Sequence, residues 1–129
     1  MKQKMSDYIF IFPIGAAGYS LLEVCWRGYT HWSMALAGGA CFCCIYAIFH
    51  LTQIRFFTKC LLCSAAVTGI EFIFGCVVNL LLHMNVWDYS SLPLHLLGQI
   101  CLPYTVLWFL LCIPLFPLCV RLERLFRRL

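Results

Sequence analysis

Long apolar runs separated by short polar breaks make up most of the chain. Four of these runs approach the ~20 residues that a helix needs to cross the ~30 Å hydrocarbon core of a bilayer. They occupy residues 8–26, 33–52, 60–83 and 101–120. The breaks are short, and the chain has no low-complexity stretch and no evident internal repeat. The pattern predicts four transmembrane helices within a single domain covering residues 1–129.

Composition supports the same interpretation. Hydrophobic residues make up 64% of the chain and charged residues 11%, whereas soluble domains are roughly half apolar and a quarter charged. The chain is too apolar for a soluble globule or a disordered segment. Its net charge of +4 is not arranged as a basic face, so we expect no nucleic-acid partner. We expect an all-α integral membrane protein surrounded by the lipid bilayer.

Lysine and arginine fall almost entirely on one side of these four segments. Because basic residues in short loops favour the cytoplasm and the number of spans is even, we expect both termini to be cytoplasmic. Arg27 alone falls on the opposite, outer side. The cytoplasmic set consists of Lys2, Lys4, Arg55, Lys59, Arg121, Arg124, Arg127 and Arg128.

The outer side also carries aromatic residues of the kind that favour the level of the lipid headgroups. They predict an aromatic belt made of Trp26, Trp32, Trp87 and Tyr89. Residues 92–99 (LPLHLLGQ) are too apolar for a solvated loop and too short to span. We expect a helix there, lying in the interface or re-entering the protein. A re-entrant segment would bring Gly98 and Gln99 beside the third helix.

The last helix has two special features. Pro103, Pro114 and Pro117 each remove a backbone donor and are expected to bend or break it. The tail, residues 121–129 (RLERLFRRL), places apolar residues on one helical face and arginines on the other. This pattern predicts a basic amphipathic helix at the membrane surface. It is an anchor that sets the topology, a helix that docks a partner, or a tail of the holin type.

The ten cysteines and several of the glycines are expected to serve packing. Most cysteines lie inside apolar runs, where a thiol behaves as a small hydrophobe. Cys60 and Cys63 form one CxxC pair without further ligands nearby, so we expect no metal site and no cofactor. Glycines allow membrane helices to approach closely. The candidates are Gly15, Gly18, Gly38 and Gly39.

A carboxylate near the middle of the third segment is the first functional candidate. Glu71 recurs at three- and four-residue steps with other small or polar residues, which places them on one helical face. The face comprises Ser64, Thr68, Glu71, Gly75 and Asn79. Lipid cannot satisfy such a stripe, so it must face protein or water. Glu71 is either a protonated structural contact or a group that handles protons or ions. The candidates for a solute pathway are Glu71, Asn79, Thr68 and Gln99.

A second group of polar residues lies toward the outer side. Glu23 and Arg27 have the i, i+4 spacing, acid first, that favours an intrahelical ion pair. With Asp88 and His31 they form a predicted outer polar network, in which the pair is either structural or contacts a solute. The outer histidines, including His83 and His95, either pack at the interface or sense pH.

Enzyme motifs are missing from the sequence. We find no phosphate-binding glycine loop, no GxSxG elbow and no HExxH. We therefore expect no enzyme. A membrane-embedded enzyme using Glu23, His31 or Asp88 as acid or base is the weakest of the alternatives considered.

Two blocks resemble a known family. Residues 18–42 contain LLE followed by RG, and residues 71–109 contain WDYS with a following proline and GQICLP before a tryptophan-bearing helix. These motifs resemble the putative ABC-transporter type IV (CmpB-like permease) family of small bacterial membrane proteins. The resemblance implies a multi-pass protein of the bacterial cytoplasmic (inner) membrane that is linked to transport. It implies no catalytic or binding residues.

Two functions follow as expectations. The first is a permease or permease subunit that moves an ion or small solute past Glu71. The chain has no nucleotide-binding motif and is short, so we expect a homo-oligomer or a partner membrane protein. The second is a membrane anchor or regulatory interaction protein or, in a phage setting, a holin-like permeabiliser acting through its tail.

Overall fold

The computed structural model describes residues 5–51 and 53–128. Four helices account for most of it, and all four are long and apolar enough to cross a membrane. The prediction of an all-α membrane protein with four transmembrane helices is therefore confirmed. The helices are α1 (Asp7–Arg27), α2 (Trp32–Leu51), α3 (Phe56–Gly75) and α4 (Leu102–Arg127); a π-helical segment (Cys76–Leu81) continues α3. Two short antiparallel strands, β1 (His95–Leu96) and β2 (Ile100–Cys101), precede α4.

Successive helices run antiparallel, as ring contacts between distant residues show. Tyr8 at the start of α1 contacts Tyr46 near the end of α2, and Phe10 stacks on Phe126 near the end of α4. The start of α1 and the end of α4 therefore lie at one end of the bundle, here called the terminal end. The opposite end, with the α1–α2 turn and residues 82–101, is called the loop end. That the terminal end is cytoplasmic stays a prediction, and Lys2, Lys4 and Leu129 lie outside the described residues.

Local sequence explains where the helices begin and end. Gly28 closes α1 in the left-handed conformation (φ +85°), and its N–H donates to the Val24 carbonyl at 2.8 Å, as helix-ending glycines commonly do. Pro103 lies in the first turn of α4, where no intrahelical donor is needed. Pro114 and Pro117 lie inside α4, which continues without interruption to Arg127. These prolines do not break the helix, and the tail is a continuation of it.

The α1–α2 contact depends on three glycines, of which Gly39 faces the Phe12 ring, 2.8 Å from where its Cβ would lie. A Cβ added to Gly15 would lie 2.5 Å from Phe42 Cβ and 2.9 Å from the Gly38 carbonyl oxygen, and one added to Gly38 would lie 2.5 Å from Tyr19 Cβ. Real side chains do not approach so closely. The backbone of each helix at these glycines therefore packs directly against a side chain of the other helix, as small residues permit in membranes. A Cβ at Gly18 would meet nothing within 4 Å, so Gly18 has no such packing role.

The main core fills the bundle toward the terminal end and contains several of the cysteines. Cys63 and Cys112 meet between α3 and α4, and Tyr46 and Ile11 are fully buried beside them. All ten cysteines are free thiols. The buried ones pack as small hydrophobes, as the sequence predicted.

The segment 92–99 forms no helix. It makes turns and contributes β1, with Leu94, Leu97 and Gly98 at positive φ (54°, 55° and 72°). The expected helix is therefore not formed, whereas the location of this segment, in the interface or re-entering the protein, stays a prediction. Short local bonds satisfy the backbone instead: Gly98 N donates to His95 Nδ1 at 3.1 Å, and Gln99 N donates to the Leu96 carbonyl at 3.1 Å.

The predicted aromatic belt is only partly formed. Trp26 and Trp32 are strongly exposed on the loop end, as a belt requires. Trp87 is buried in a second, smaller core with Met34 and Val86. Its indole N–H donates to the Gln99 carbonyl at 2.9 Å, so this ring anchors the loop rather than reaching the headgroups.

Candidate functional site

A cavity of about 360 Å³ lies between the four helices. Its walls come from every helix and from Trp87 in the loop, and they are almost entirely apolar. The size falls within the range of small-molecule sites, which combine apolar walls with a few polar groups. Its lining includes Tyr19, Cys41, Glu71, Trp87 and Trp108.

Glu71 is the charged residue of this cavity. Its side chain is buried, and the Trp108 indole and the Tyr89 hydroxyl lie beside its carboxylate. No lysine, arginine or histidine lines the cavity, and Glu71 makes no ion pair within residues 5–51 and 53–128. A carboxylate in apolar surroundings is costly unless it is paired or protonated. The cavity therefore contains an uncompensated acidic group.

A smaller cavity of about 180 Å³ lies next to the first, toward the loop end. Glu23 and Trp26 line it, and Tyr19 and Trp108 line both cavities. The rings of Tyr19 and Trp108 contact each other with centroids 5.8 Å apart. The Tyr19 hydroxyl faces Glu23 and is within electrostatic range of Glu71. This aromatic pair is thus the shared wall between the two acidic compartments.

The outer polar network is present in part. Arg27 Nε lies 2.7 Å from Glu23 Oε2, with side chains 21% and 12% exposed, so the expected i, i+4 ion pair forms and is mostly buried. Arg27 also donates to the Val86 carbonyl at 2.8 Å, and its guanidinium lies 4.6 Å from the centre of the Tyr29 ring. These contacts hold the end of α1 against the loop.

Asp88 and His31 do not join that pair. Asp88 is exposed, and its carboxylate accepts a bond from Ser90 N at 2.9 Å. Hydrogen bonds from the Ser90 side chain and backbone hold the pKa of Asp88 below its usual value, so this loop group stays charged near neutral pH. His31 Nδ1 lies 2.7 Å from Ser33 Oγ. Among the described residues, neither side chain makes an ion pair with Arg27.

The polar residues predicted to share one face of α3 contact three different parts of the protein: α4, the cavity and the loop. Ser64 donates to the Thr105 carbonyl at 2.7 Å, and Thr68 Oγ1 lies 3.1 Å from Thr105 Oγ1. These two residues join α3 to α4 and do not line the cavity. Glu71 does line it. Asn79 lies beyond the cavity, in the π-helical segment, and faces the loop.

Asn79 and Gln99 hold the loop in place. Asn79 Nδ2 donates to Gln99 Oε1 at 2.7 Å, and Asn79 Oδ1 accepts from Val86 N at 2.7 Å. A Cβ at Gly75 would lie 2.6 Å from Gln99 Oε1, so Gly75 makes room for this contact. The sequence prediction that a dipping segment would bring Gln99 beside the Glu71–Asn79 face holds for Gln99. Asn79 and Gln99, here called the loop lock, fix the position of the loop through these hydrogen bonds.

Asn79→Ala is expected to loosen the loop lock. The change leaves the Val86 N–H and Gln99 Oε1 without their partner, at a cost of about 1–3 kcal/mol. Cys101, which is buried next to the lock, should then react faster with a thiol reagent in detergent, measured at Cys101 by mass spectrometry of its peptide after digestion. Ser91→Ala, on the exposed part of the same loop, is the control and should leave the rate unchanged. Equal rates in all three proteins would contradict the role assigned to Asn79.

A further polar cluster at the terminal end was missed by the sequence analysis. Glu123 Oε2 lies 2.6 Å from His50 Nε2, and Glu123 Oε1 lies 2.6 Å from Arg127 Nη2. Glu123 and His50 are almost fully buried. Nearby, the Tyr46 hydroxyl donates to Asp7 Oδ2 at 2.9 Å. The i, i+4 spacing of Glu123 and Arg127 was a visible signal, but it could not reveal that α2 supplies a histidine.

Both ring nitrogens of His50 have a contact in this cluster. His50 Nδ1 lies 2.8 Å from the Tyr46 carbonyl oxygen, and His50 Nε2 faces Glu123. The cluster therefore joins α2 to α4.

Fold and site together define a small polytopic membrane protein with an acidic group inside an apolar cavity. The family described as Putative ABC-transporter type IV has a model that matches residues 9–128. The chain therefore belongs to this family, and the resemblance noted from the two sequence blocks is confirmed. No curated protein and no solved structure is significantly similar to the chain.

Proposed function

We propose that the protein is a transporter permease, or a permease subunit, that moves a small solute or ion through the cavity beside Glu71. The observation that carries this proposal is the Glu71 carboxylate, which lines the cavity without a basic partner among the described residues. Ionisable groups inside a membrane are expensive, and where they persist they commonly mark solute or ion pathways. Membership of a family described as transporters points the same way.

The proposal includes a partner. The cavity is lined by four helices of one chain, and the sequence carries no phosphate-binding loop. A homo-oligomer, or a partner membrane protein, would supply a longer path across the bilayer. We place this assembly in the bacterial cytoplasmic membrane.

The direct test is flux into proteoliposomes that contain the purified protein. A panel of ions and small organic solutes should include at least one that enters faster than into empty vesicles. Glu71→Gln should reduce its uptake to the level of empty vesicles, because the amide cannot carry the charge. Asp88→Asn makes the same chemical change at an exposed loop position that lines neither cavity, and it should leave uptake unchanged. If no solute enters, the proposed function is wrong.

The alternative of an anchor, a regulatory interaction protein or a holin-like protein is based on the basic amphipathic tail and the absence of enzyme motifs. Glu123 and Phe126 pack that tail against α2 and α1, which favours a structural role for it. Expression distinguishes the functions, since a holin stops growth abruptly and depolarises the membrane, whereas a permease does not.

A further inference from the structure

We propose that the cavity binds a monovalent organic cation with a bulky apolar body, whose charge pairs with Glu71. This inference rests on the proposed function, because it takes the cavity as the site of the solute. It adds the chemical class of the ligand.

The charge of the ligand follows from the acidic residues of the spans. Glu23 has Arg27 as its partner, and Glu123 has His50 and Arg127. Glu71 is the glutamate for which the described residues supply no basic partner. A cation bound in the cavity would provide the missing counter-charge. An anion would add a second negative charge in surroundings that cannot screen it, so anions are excluded.

The side chains that line the cavity determine which kind of cation can bind there. A metal cation such as Ca²⁺ needs six to eight oxygen ligands, whereas the polar side chains of this cavity are chiefly the Glu71 carboxylate and the Tyr19 hydroxyl. The remaining walls are apolar. Tyr19, Trp87 and Trp108 present aromatic rings to the cavity, and aromatic faces attract organic cations. A large cation with a diffuse charge matches the cavity better than a small hydrated ion.

The test uses two ions of nearly equal shape and opposite charge. Tetraphenylphosphonium and tetraphenylborate are both bulky and apolar, so they partition into detergent for the same reason and differ in charge. Binding of each to the purified full-length chain in detergent is measured by equilibrium dialysis, with protein-free micelles subtracted. We expect saturable binding of the phosphonium and no saturable binding of the borate.

Variants then locate the site. Glu71→Gln should weaken phosphonium binding by roughly tenfold or more, since a charged partner is worth more than about 1.4 kcal/mol. Glu71→Asp keeps the charge and should retain most of the binding. Asp88→Asn is the matched control and should bind like the unchanged chain. Equal binding of both ions, or phosphonium binding that survives Glu71→Gln, would overturn the proposal.

A measurement on the unchanged chain covers the case in which Glu71→Gln fails to fold. Cys41 lines the cavity, so bound phosphonium should slow its reaction with N-ethylmaleimide, and borate should not. Binding should also strengthen as the pH rises, because protonation removes the charge of Glu71. The other titratable groups within electrostatic range of Glu71 are Glu23, Tyr19, Tyr89 and Cys41 itself, so the protection of Cys41 is compared with and without phosphonium at each pH. No protection at any pH would overturn the proposal.

The outcomes separate this inference from the proposed function. If the chain binds phosphonium but no solute crosses proteoliposomes, the cation site stands and the permease does not. If another solute is transported in a Glu71-dependent way while phosphonium does not bind, the permease stands and the cation class is wrong.

Discussion

Replacing Glu123 with alanine is expected to destabilise the protein by about 3–5 kcal/mol, the usual cost of removing one partner from a buried ion pair. Glu123 and His50 are 1% and 2% exposed, so the surroundings cannot replace the lost contact with water. The change would leave both the His50 ring and the Arg127 guanidinium without their acceptor. It would also remove the polar tie between α2 and the end of α4.

The measurement is thermal and denaturant unfolding of the purified chain in detergent. Arg127→Ala is the matched control, because the Arg127 side chain is 50% exposed and such a partner contributes under about 1 kcal/mol. Glu123→Gln keeps the shape of the side chain and one acceptor oxygen, so its stability should lie between those of Glu123→Ala and Arg127→Ala. Similar stabilities for Glu123→Ala and Arg127→Ala would show that the buried Glu123–His50 contact contributes little to the free energy of unfolding.

Gly15→Leu should prevent the normal packing of α1 on α2, with a loss of about 3 kcal/mol or more. Overpacking usually costs 1–3 kcal/mol, occasionally more, and here even the first added carbon would meet Phe42 Cβ at 2.5 Å and the Gly38 carbonyl oxygen at 2.9 Å. Backbone cannot move aside as a flexible side chain can. The two helices would have to separate.

Gly18→Leu is the control for that prediction. It makes the same change one turn away on α1, where an added Cβ meets nothing within 4 Å. We expect Gly18→Leu to be neutral or slightly stabilising, because glycine is a poor helix former. Unfolding in detergent and the fraction of monodisperse protein after purification would compare the two. A Gly15→Leu protein as stable as Gly18→Leu would be incompatible with the close α1–α2 contact.

Features that depend on local spacing could be predicted from the sequence. Apolar run length gave the four spans to within a few residues, except that α3 begins earlier and α4 extends through the tail. The Glu23–Arg27 pair followed from an i, i+4 spacing. Glu71 was identified from its depth in an apolar run, and the structure places it in the cavity.

Features that depend on tertiary contacts could not be predicted in the same way. Glu123 belongs to the tail that was predicted to lie at the membrane surface, and only the packing of α4 on α2 buries it beside His50. Trp87 was predicted to lie in the interface, but its indole N–H donates to the Gln99 carbonyl inside the protein. Ser64 and Asn79 share a helical face with Glu71, yet their partners come from α4 and the loop. A single helix pattern contains no information about which neighbour each residue meets.

The aromatic wall between the cavities bears on how a solute could reach Glu71 from the lipid. At the level of the cavity, α1 and α4 meet through the rings of Tyr19 and Trp108, whereas the ion pairs of the described residues lie toward the two ends of the bundle. Rings rotate on timescales far shorter than helix movements, and lipid chains can replace the contacts that they give up. Entry from the bilayer between α1 and α4 would therefore displace this ring contact and break no ion pair of the described residues.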